Sequence, residues 1–265
     1  MKIVTLTTDF GTGDFEIGTL SGVIWRIAPA TRMVDLTHDV PRHNIYQAAL
    51  VLDRCTPFFP AGTIHTVVVD PGVGTNRRPV AACLGDQWFV GPDNGVMTLM
   101  YHRAISMHQP VEIVHTNRPE YWLSDVSHIF HGRDVFAPVA GHLAAGVPLS
   151  DLGDPVSEPV LIDLPKVTET GSGLLGQVTD IDHFGNLGTN LHQDMLKGLG
   201  KVQVLYGGAV MQGLVKTFGD ARPGELVALI DSSNYLSISL VNGSAADRLG
   251  ASFGDPVEVR RLGRG

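Results

Sequence analysis

The stretch TIHTVVVDPGVG, residues 63–74, decides how this chain is read. Its first seven residues are largely β-branched, as in a strand buried on both faces, and Asp70-Pro71-Gly72-Val73-Gly74 ends the run in a sharp turn. Upstream, Lys2–Thr7 is another short apolar run, closed by the polar turn Thr8–Gly13. Ile17, Leu20, Ile24 and Ile27 then recur at helical spacing until Pro29 stops them. Met33–Thr37 reads as a further strand, and Asn44 is placed to cap a helix through Ile45, Ala48, Ala49 and Leu52. Strand–turn–helix repeats of this kind imply an α/β domain over residues 1–150, with a mostly parallel, Rossmann-like sheet and crossover helices. Ligands of such sheets sit beyond the carboxyl ends of the strands, where Asp9 and Asp70 both fall. Either carboxylate alone is equally well a turn cap; two on one sheet edge favour a site.

Past His142 the pattern changes. Prolines at 148, 155, 159 and 165 mark residues 151–172 as a linker. Beyond it, Leu174–Asp180, Lys201–Tyr206, Leu226–Ile230, Tyr235–Leu240 and Pro256–Arg260 are short β-rich runs between Gly-rich turns. They predict a smaller antiparallel β barrel or sandwich over 173–265.

Composition narrows the function. Of 265 residues, 43% are apolar and 17% charged, so the chain folds around a core and is not disordered. Nineteen basic against 27 acidic residues, a formal charge of −8, leave no basic excess for nucleic acid. Cys55 and Cys83 make no disulfide framework, and no leader or membrane-length apolar run is visible, so a cytoplasmic protein is expected. A phosphate-binding loop, a G-x-S-x-G elbow and an H-E-x-x-H motif are all missing from the sequence, and Glu16 stands where a dinucleotide fingerprint needs its third glycine. His128 and His131 have metal-ligand spacing but no companions, so no metal is expected.

Five polar clusters remain: TTDFG (7–11), VVDPGVGTNRR (68–78), FHGRDVFAP (130–138), IDHFGN (181–186) and DSSNYLSI (231–238). In content and order they resemble the S-adenosyl-L-methionine (SAM) hydroxide adenosyltransferases, relatives of the fluorinase and chlorinase, over nearly the whole chain. The resemblance implies an N-terminal α/β domain, a C-terminal β domain and a homotrimer. SAM would lie between one subunit's N-domain and its neighbour's C-domain. The implied reaction is SAM plus water giving adenosine and L-methionine, with SAM as substrate and no cofactor.

The same resemblance assigns Asp70, Arg77 and His131 as the catalytic set. The chemistry fits: a sulfonium makes methionine a neutral leaving group, so displacement at C5′ needs an aligned, deprotonated nucleophile and little else. Arg77 would pair with Asp70 and stabilise developing hydroxide, while Asp70 or His131 takes the proton; the sequence leaves that choice open. For the substrate, Asp9 suits the ribose diol, Asn186 and Asn242 the adenine, and Phe130 and Phe184 offer ring surface beside Gly132. Asp182 suits the methionine ammonium, and Ser232 with Ser233 the carboxylate. Halide-using relatives carry a non-acidic residue at the position of Asp70, and the fluorinase has serine at Gly132, an aromatic at His43 and arginine at Ser233. A carboxylate ~4 Å from a halide, at an effective dielectric of about 20, repels it by roughly 4 kcal/mol, so water is the expected nucleophile. The alternatives are halide-dependent adenosyl transfer and a SAM- or adenosine-binding module without turnover.

Overall fold

The computed structural model describes residues 1–262. The chain divides into two compact units, the first spanning Met1–Ile162 and the second beginning at Asp163.

The first unit is a seven-stranded sheet with helices on both faces. Its strands are β1 (Ile3–Thr8), β2 (Arg32–Thr37), β3 (Ile64–Val68), β4 (Pro79–Leu84), β5 (Gln87–Pro92), β6 (Val111–His115) and β7 (Asp154–Pro155), in the order β2-β1-β3-β5-β4-β6-β7. β2, β1, β3 and β5 run parallel; β4 opposes β5, and β6, opposing β4, returns to the main direction. The sheet is therefore mostly parallel, as expected. The departure from strand–helix alternation is the β4–β5 hairpin, turned at Gly85 with φ 70°, which places β5 between β3 and β4.

Successive residues of β3 feed opposite cores. Val68 packs with Leu20 and Ile24 of α1 (Glu16–Ile27) and with Val139 and Ala140 of the helix Ala137–Ala145. Val67 and Val69 pack with Ala48 and Leu52 of α2 (Ile45–Cys55) and with Met100 of α3 (Thr98–Ser106). This two-sided burial is why the strand carries an unbroken apolar run. Asn44 caps α2, its side chain accepting from the Gln47 N–H at 3.0 Å. The helix Ala137–Ala145, α4, continues directly from a π-helical turn, Gly132–Phe136.

Part of the stretch expected as linker belongs to this unit. β7 pairs with β6, the Val160 N–H donates to Asp93 at 2.8 Å, and the Ile162 N–H donates to Thr98 at 3.0 Å. Prolines stop helices there, but the backbone groups between them still find partners on the sheet's edge.

The second unit is an all-antiparallel, barrel-like sheet. Its strands are β8 (Thr168–Thr170), β9 (Gly173–Ile181), β10 (Leu187–His192), β11 (Val202–Tyr206), β12 (Ala209–Gln212), β13 (Leu226–Ile230), β14 (Tyr235–Leu240) and β15 (Pro256–Arg261). The order is β12-β11-β15-β9-β10-β14-β13, with β8 on β9. Val178, Leu187, Leu191, Val204, Leu236, Ile238, Val257 and Val259 fill its interior. Two short helices, α5 (Gln193–Leu196) and α6 (Ala245–Leu249), decorate the turns. Among the described residues, no helix is long and apolar enough to cross a membrane.

Candidate active site

Thr8 of β1 lies in register with Val68 of β3, so the chain leaves both strands at one edge of the sheet. Asp9 and Asp70 follow there, as the sequence predicts. The loop after β3 returns to β4 through Arg77, whose Nε donates to Asp70 Oδ1 at 2.9 Å while its Nη2 pairs with Oδ2. The carboxylate and the guanidinium are both buried, and Phe136 lies 5.1 Å from the guanidinium carbon in a cation–π contact. The Nη1 nitrogen of Arg77 is buried without a protein acceptor.

The third member arrives from the far end of the unit's sequence. His131 immediately precedes the π-helical turn that opens α4, without a capping hydrogen bond from its side chain. A Cβ at Gly132 would stand 2.9 Å from Val68 Cγ1 and 3.3 Å from the Phe130 ring, so glycine lets this turn press onto β3. The approach brings His131 Nδ1 to 3.1 Å from Arg77 Nη2. Arginine only donates, so Nδ1 is the acceptor and the proton of the neutral ring sits on Nε2. Burial, and after it the Arg77 charge, holds the imidazole below its ordinary pKa, with Asp70 opposing more weakly. Asp134, fully buried, anchors the turn by accepting from the Ser127 N–H at 2.8 Å and pairing with Arg133.

These groups border a cavity of about 270 Å³ lined by Asp9, Phe10, Arg42, His43, Val68, Asp70, Val73, Ile129, Phe130, His131 and Gly132. One oxygen of Asp9 accepts the His43 N–H at 2.8 Å. Phe10 and Phe130 meet edge to face, ring centroids 5.9 Å apart.

The second unit has its own cavity, about 540 Å³, lined by Phe184, Asn186, Phe218, Leu240, Asn242 and Gly243. One wall is the loop between β9 and β10, and the others come from the turn at Phe218 and the end of β14. Asp182 Oδ1 accepts from the backbone N–H groups of Phe184 and Asn186, both at 2.9 Å, and Oδ2 accepts from the Asn186 side chain at 2.7 Å. Gly185, at φ 78°, passes so close to Ser244 that a Cβ would stand 2.1 Å from its hydroxyl oxygen.

A family model described as the SAM hydroxide adenosyltransferase N-terminal domain matches residues 4–153, and its C-terminal counterpart matches 176–258. The chain belongs to the SAM hydroxide adenosyltransferase family. A protein of Salinispora tropica named (R)-S-adenosyl-L-methionine hydrolase is 41% identical, covering 97% of each chain. A fluorinase of Actinoplanes sp. is more distant, 29% identical over 89% of this chain and 90% of its own. A crystal structure of an uncharacterized conserved protein from Thermotoga maritima superposes with a TM-score of 0.87 at 34% identity, covering 98% of this chain and all of that one.

Within this adenosyltransferase-family chain the expected residues fall into three groups. Asp9, Asp70, Phe130, His131 and Gly132 line one cavity, with Arg77 behind Asp70. Phe184, Asn186 and Asn242 line the other, with Asp182 bracing the loop beneath them. Ser232 and Ser233 join neither: they occupy the β13–β14 turn, where the Ser233 N–H donates to Asp231 at 2.8 Å. That turn precedes β14, whereas Asn242 follows it, so the six-residue strand separates them by about 20 Å. Phe10, Arg42, Ile129 and Phe218 went unassigned from sequence. Phe10 stood inside a quoted motif, but Phe218 lies in a three-residue turn with no motif around it.

Proposed function

We propose that this protein hydrolyses S-adenosyl-L-methionine to adenosine and L-methionine, water attacking C5′ as the bond to sulfur breaks. The observation that carries the reading is the Asp70–Arg77–His131 cluster, its ion pair buried and its imidazole half-buried, opening on the same cavity as Asp9. The bonding electrons pass to the sulfonium, which leaves as a neutral thioether, so no acid and no cofactor is required. What the site must supply is a proton acceptor and alignment.

Asp70 is the acceptor in this reading. His131 Nδ1 is occupied by Arg77 and the other ring nitrogen carries the proton, so the neutral imidazole has a donor, not a lone pair, to offer the nucleophile's oxygen. Arg77 then offsets the negative charge that develops as water loses its proton. Asp9 takes the ribose hydroxyls, with Phe130 and Gly132 beside the sugar. Asn186 and Asn242 address the adenine between Phe184 and Phe218. Asp182 sets the Asn186 amide and faces the ammonium, while Ser232 and Ser233 are left with the carboxylate as their assignment.

Each cavity offers recognition for part of SAM only, which favours a homotrimer whose sites are completed by a neighbouring copy. The cytoplasm is the proposed compartment, in keeping with Cys55 and Cys83 as free thiols. The names of the relatives at higher identity support hydrolysis, and an anionic Asp70 disfavours the halide alternative.

Purified protein incubated with SAM in H₂¹⁸O is expected to release methionine and adenosine labelled at the 5′ oxygen. Unlabelled adenosine would contradict attack at C5′, halogenated deoxyadenosine in added chloride or fluoride would favour the alternative, and intact SAM would leave only a binding module. Activity that persists on dilution to a verified monomer would overturn the shared site.

A further inference from the structure

The Asp70–Arg77 pair sits on a loop that must arch over β5, because β5 lies between the two strands the loop connects. The corner following β5 touches that arch at both feet. Asn94 Nδ2 donates to the Val69 carbonyl at 2.9 Å, one residue before Asp70. The Asp93 N–H donates to the Arg78 carbonyl at 2.9 Å, one residue after Arg77, and Asp93 Oδ2 accepts from Arg78 Nε at 2.8 Å. The Asp93 carboxylate is fully buried, and its other oxygen takes the Val160 N–H. On the far side the corner is backed by residues 158–162: Arg78 also reaches the Glu158 carbonyl at 2.8 Å, and Gly95, at φ 98°, pairs with Leu161 and lies against Ile162. Between the feet, by contrast, the backbone hydrogen bonds among the described residues are the loop's own turns, such as Val73 N–H to Asp70 O and Thr75 N–H to Gly72 O, both at 3.2 Å, while outside contacts come from the Arg77 side chain on His131 and from Gly74 against the His128 carbonyl.

We propose that Asp93 and Asn94 are positioning residues that set the spacing between Asp70 and Arg77 by clamping the two feet of their loop. A two-point pairing of carboxylate and guanidinium tolerates little displacement of either backbone. Each partner is one residue from a fixed point, so the corner converts a flexible arch into a rigid span. The inference rests on the proposed hydrolysis for its kinetic consequence, but the geometry it concerns is readable without turnover.

Asn94→Asp keeps the shape and removes the donor, setting a charged oxygen against the Val69 carbonyl, while its other oxygen still accepts from the Val96 N–H, as Asn94 Oδ1 does at 3.2 Å. In this variant kcat is expected to fall about tenfold to a hundredfold, with KM within about twofold, since the ground-state contacts are untouched. With ¹⁵N-arginine labelling, the Arg77 Nε–H should exchange with solvent faster than in the wild type, assigned by its loss in Arg77→Lys. Asn94→Ser, a shorter donor, should recover part of the rate. A folded Asn94→Asp protein with wild-type kcat and wild-type Arg77 Nε–H exchange would overturn the proposal. Should the wild-type protein leave SAM intact, the hydrolytic reading fails instead, and the exchange measurement still decides the clamp.

Discussion

The two cavities are built on opposite plans. In the first unit the charged pair at the centre of the site is held by the protein itself: Asp70 by Arg77, Arg77 by His131 and Phe136, and their loop by the Asp93–Asn94 corner. In the second unit the walls include aromatic rings left in solvent, Phe184 at 75% exposure on a loop whose polar atoms mostly bond one another, and Phe218 at 47% on a separate turn. The contrast suits what the proposed reaction would ask of each. Stabilising charge as it develops requires dipoles that need no reorganisation. Recognising a flat base requires an apolar face and a few directional groups, and an exposed ring can await its partner at small cost. Rate should therefore be lost in the first unit and affinity in the second.

The sharpest way to break that division is Asp70→Ala. Turnover should drop by about 10²–10⁴, or roughly 3–5 kcal/mol in barrier, with SAM affinity little changed by calorimetry. A variant that instead lost binding and kept kcat would place the two functions together.

Next in size is a stability difference. His65 is fully buried in β3, bonded to Thr5 Oγ1 at 2.8 Å, and burial lowers its pKa to about 4. Between 6.5 and about 4 the unfolded chain binds a proton that the native first unit refuses. Stability is thus complete above pH 6.5 and falls as the solution is acidified through that window, by about 3 kcal/mol at most. Denaturant melts of His65→Asn should be flatter over the same range, whatever their offset; an equal slope would assign the acid sensitivity to other groups.

In the second unit, Phe184→Ala should weaken SAM binding by about 1–3 kcal/mol, the range for a base stacked on an aromatic ring, and leave single-turnover rates at saturation near wild type. A large kcat effect with unchanged affinity would merge the two plans. The smallest expected change is Asp182→Ala, about 1 kcal/mol in binding, because its bonds organise an exposed loop where water can replace them. A loss of several kcal/mol would show that its pairing with the ammonium is shielded from water rather than made at an exposed loop.

Much of this was legible in the chain. The β-branched run through Val69, the Asn44 cap and the two carboxylates at one strand edge follow from local stereochemistry, which acts over a few residues and is written in consecutive positions. Motif order likewise announced the family, and the turn chemistry of Asp182 was foreseeable beside Gly185. Less was visible where partners are remote. Ser232 and Ser233, expected at the carboxylate, and Asn242, expected at the adenine, lie at opposite ends of β14, a separation that their residue types do not announce. Residues 151–162 had the composition of a linker, yet their backbone is satisfied by Asp93, Thr98 and β6.

Taken by itself, the sequence determined the two-part architecture, the sheet edge that bears the carboxylates and the residue types available for displacement at carbon. Tertiary structure alone decided that β5 slips between β3 and β4, that His131 turns its Nδ1 to Arg77, and that Asn94 reaches the foot of the Asp70 loop. Periodicity and turn residues report on bonds between near neighbours. The contact that sets proton ownership on His131 spans 54 positions and the one that holds the foot of the Asp70 loop spans 25, and only the packing of Gly132 onto Val68 and of a hairpin into the sheet brings those atoms within reach.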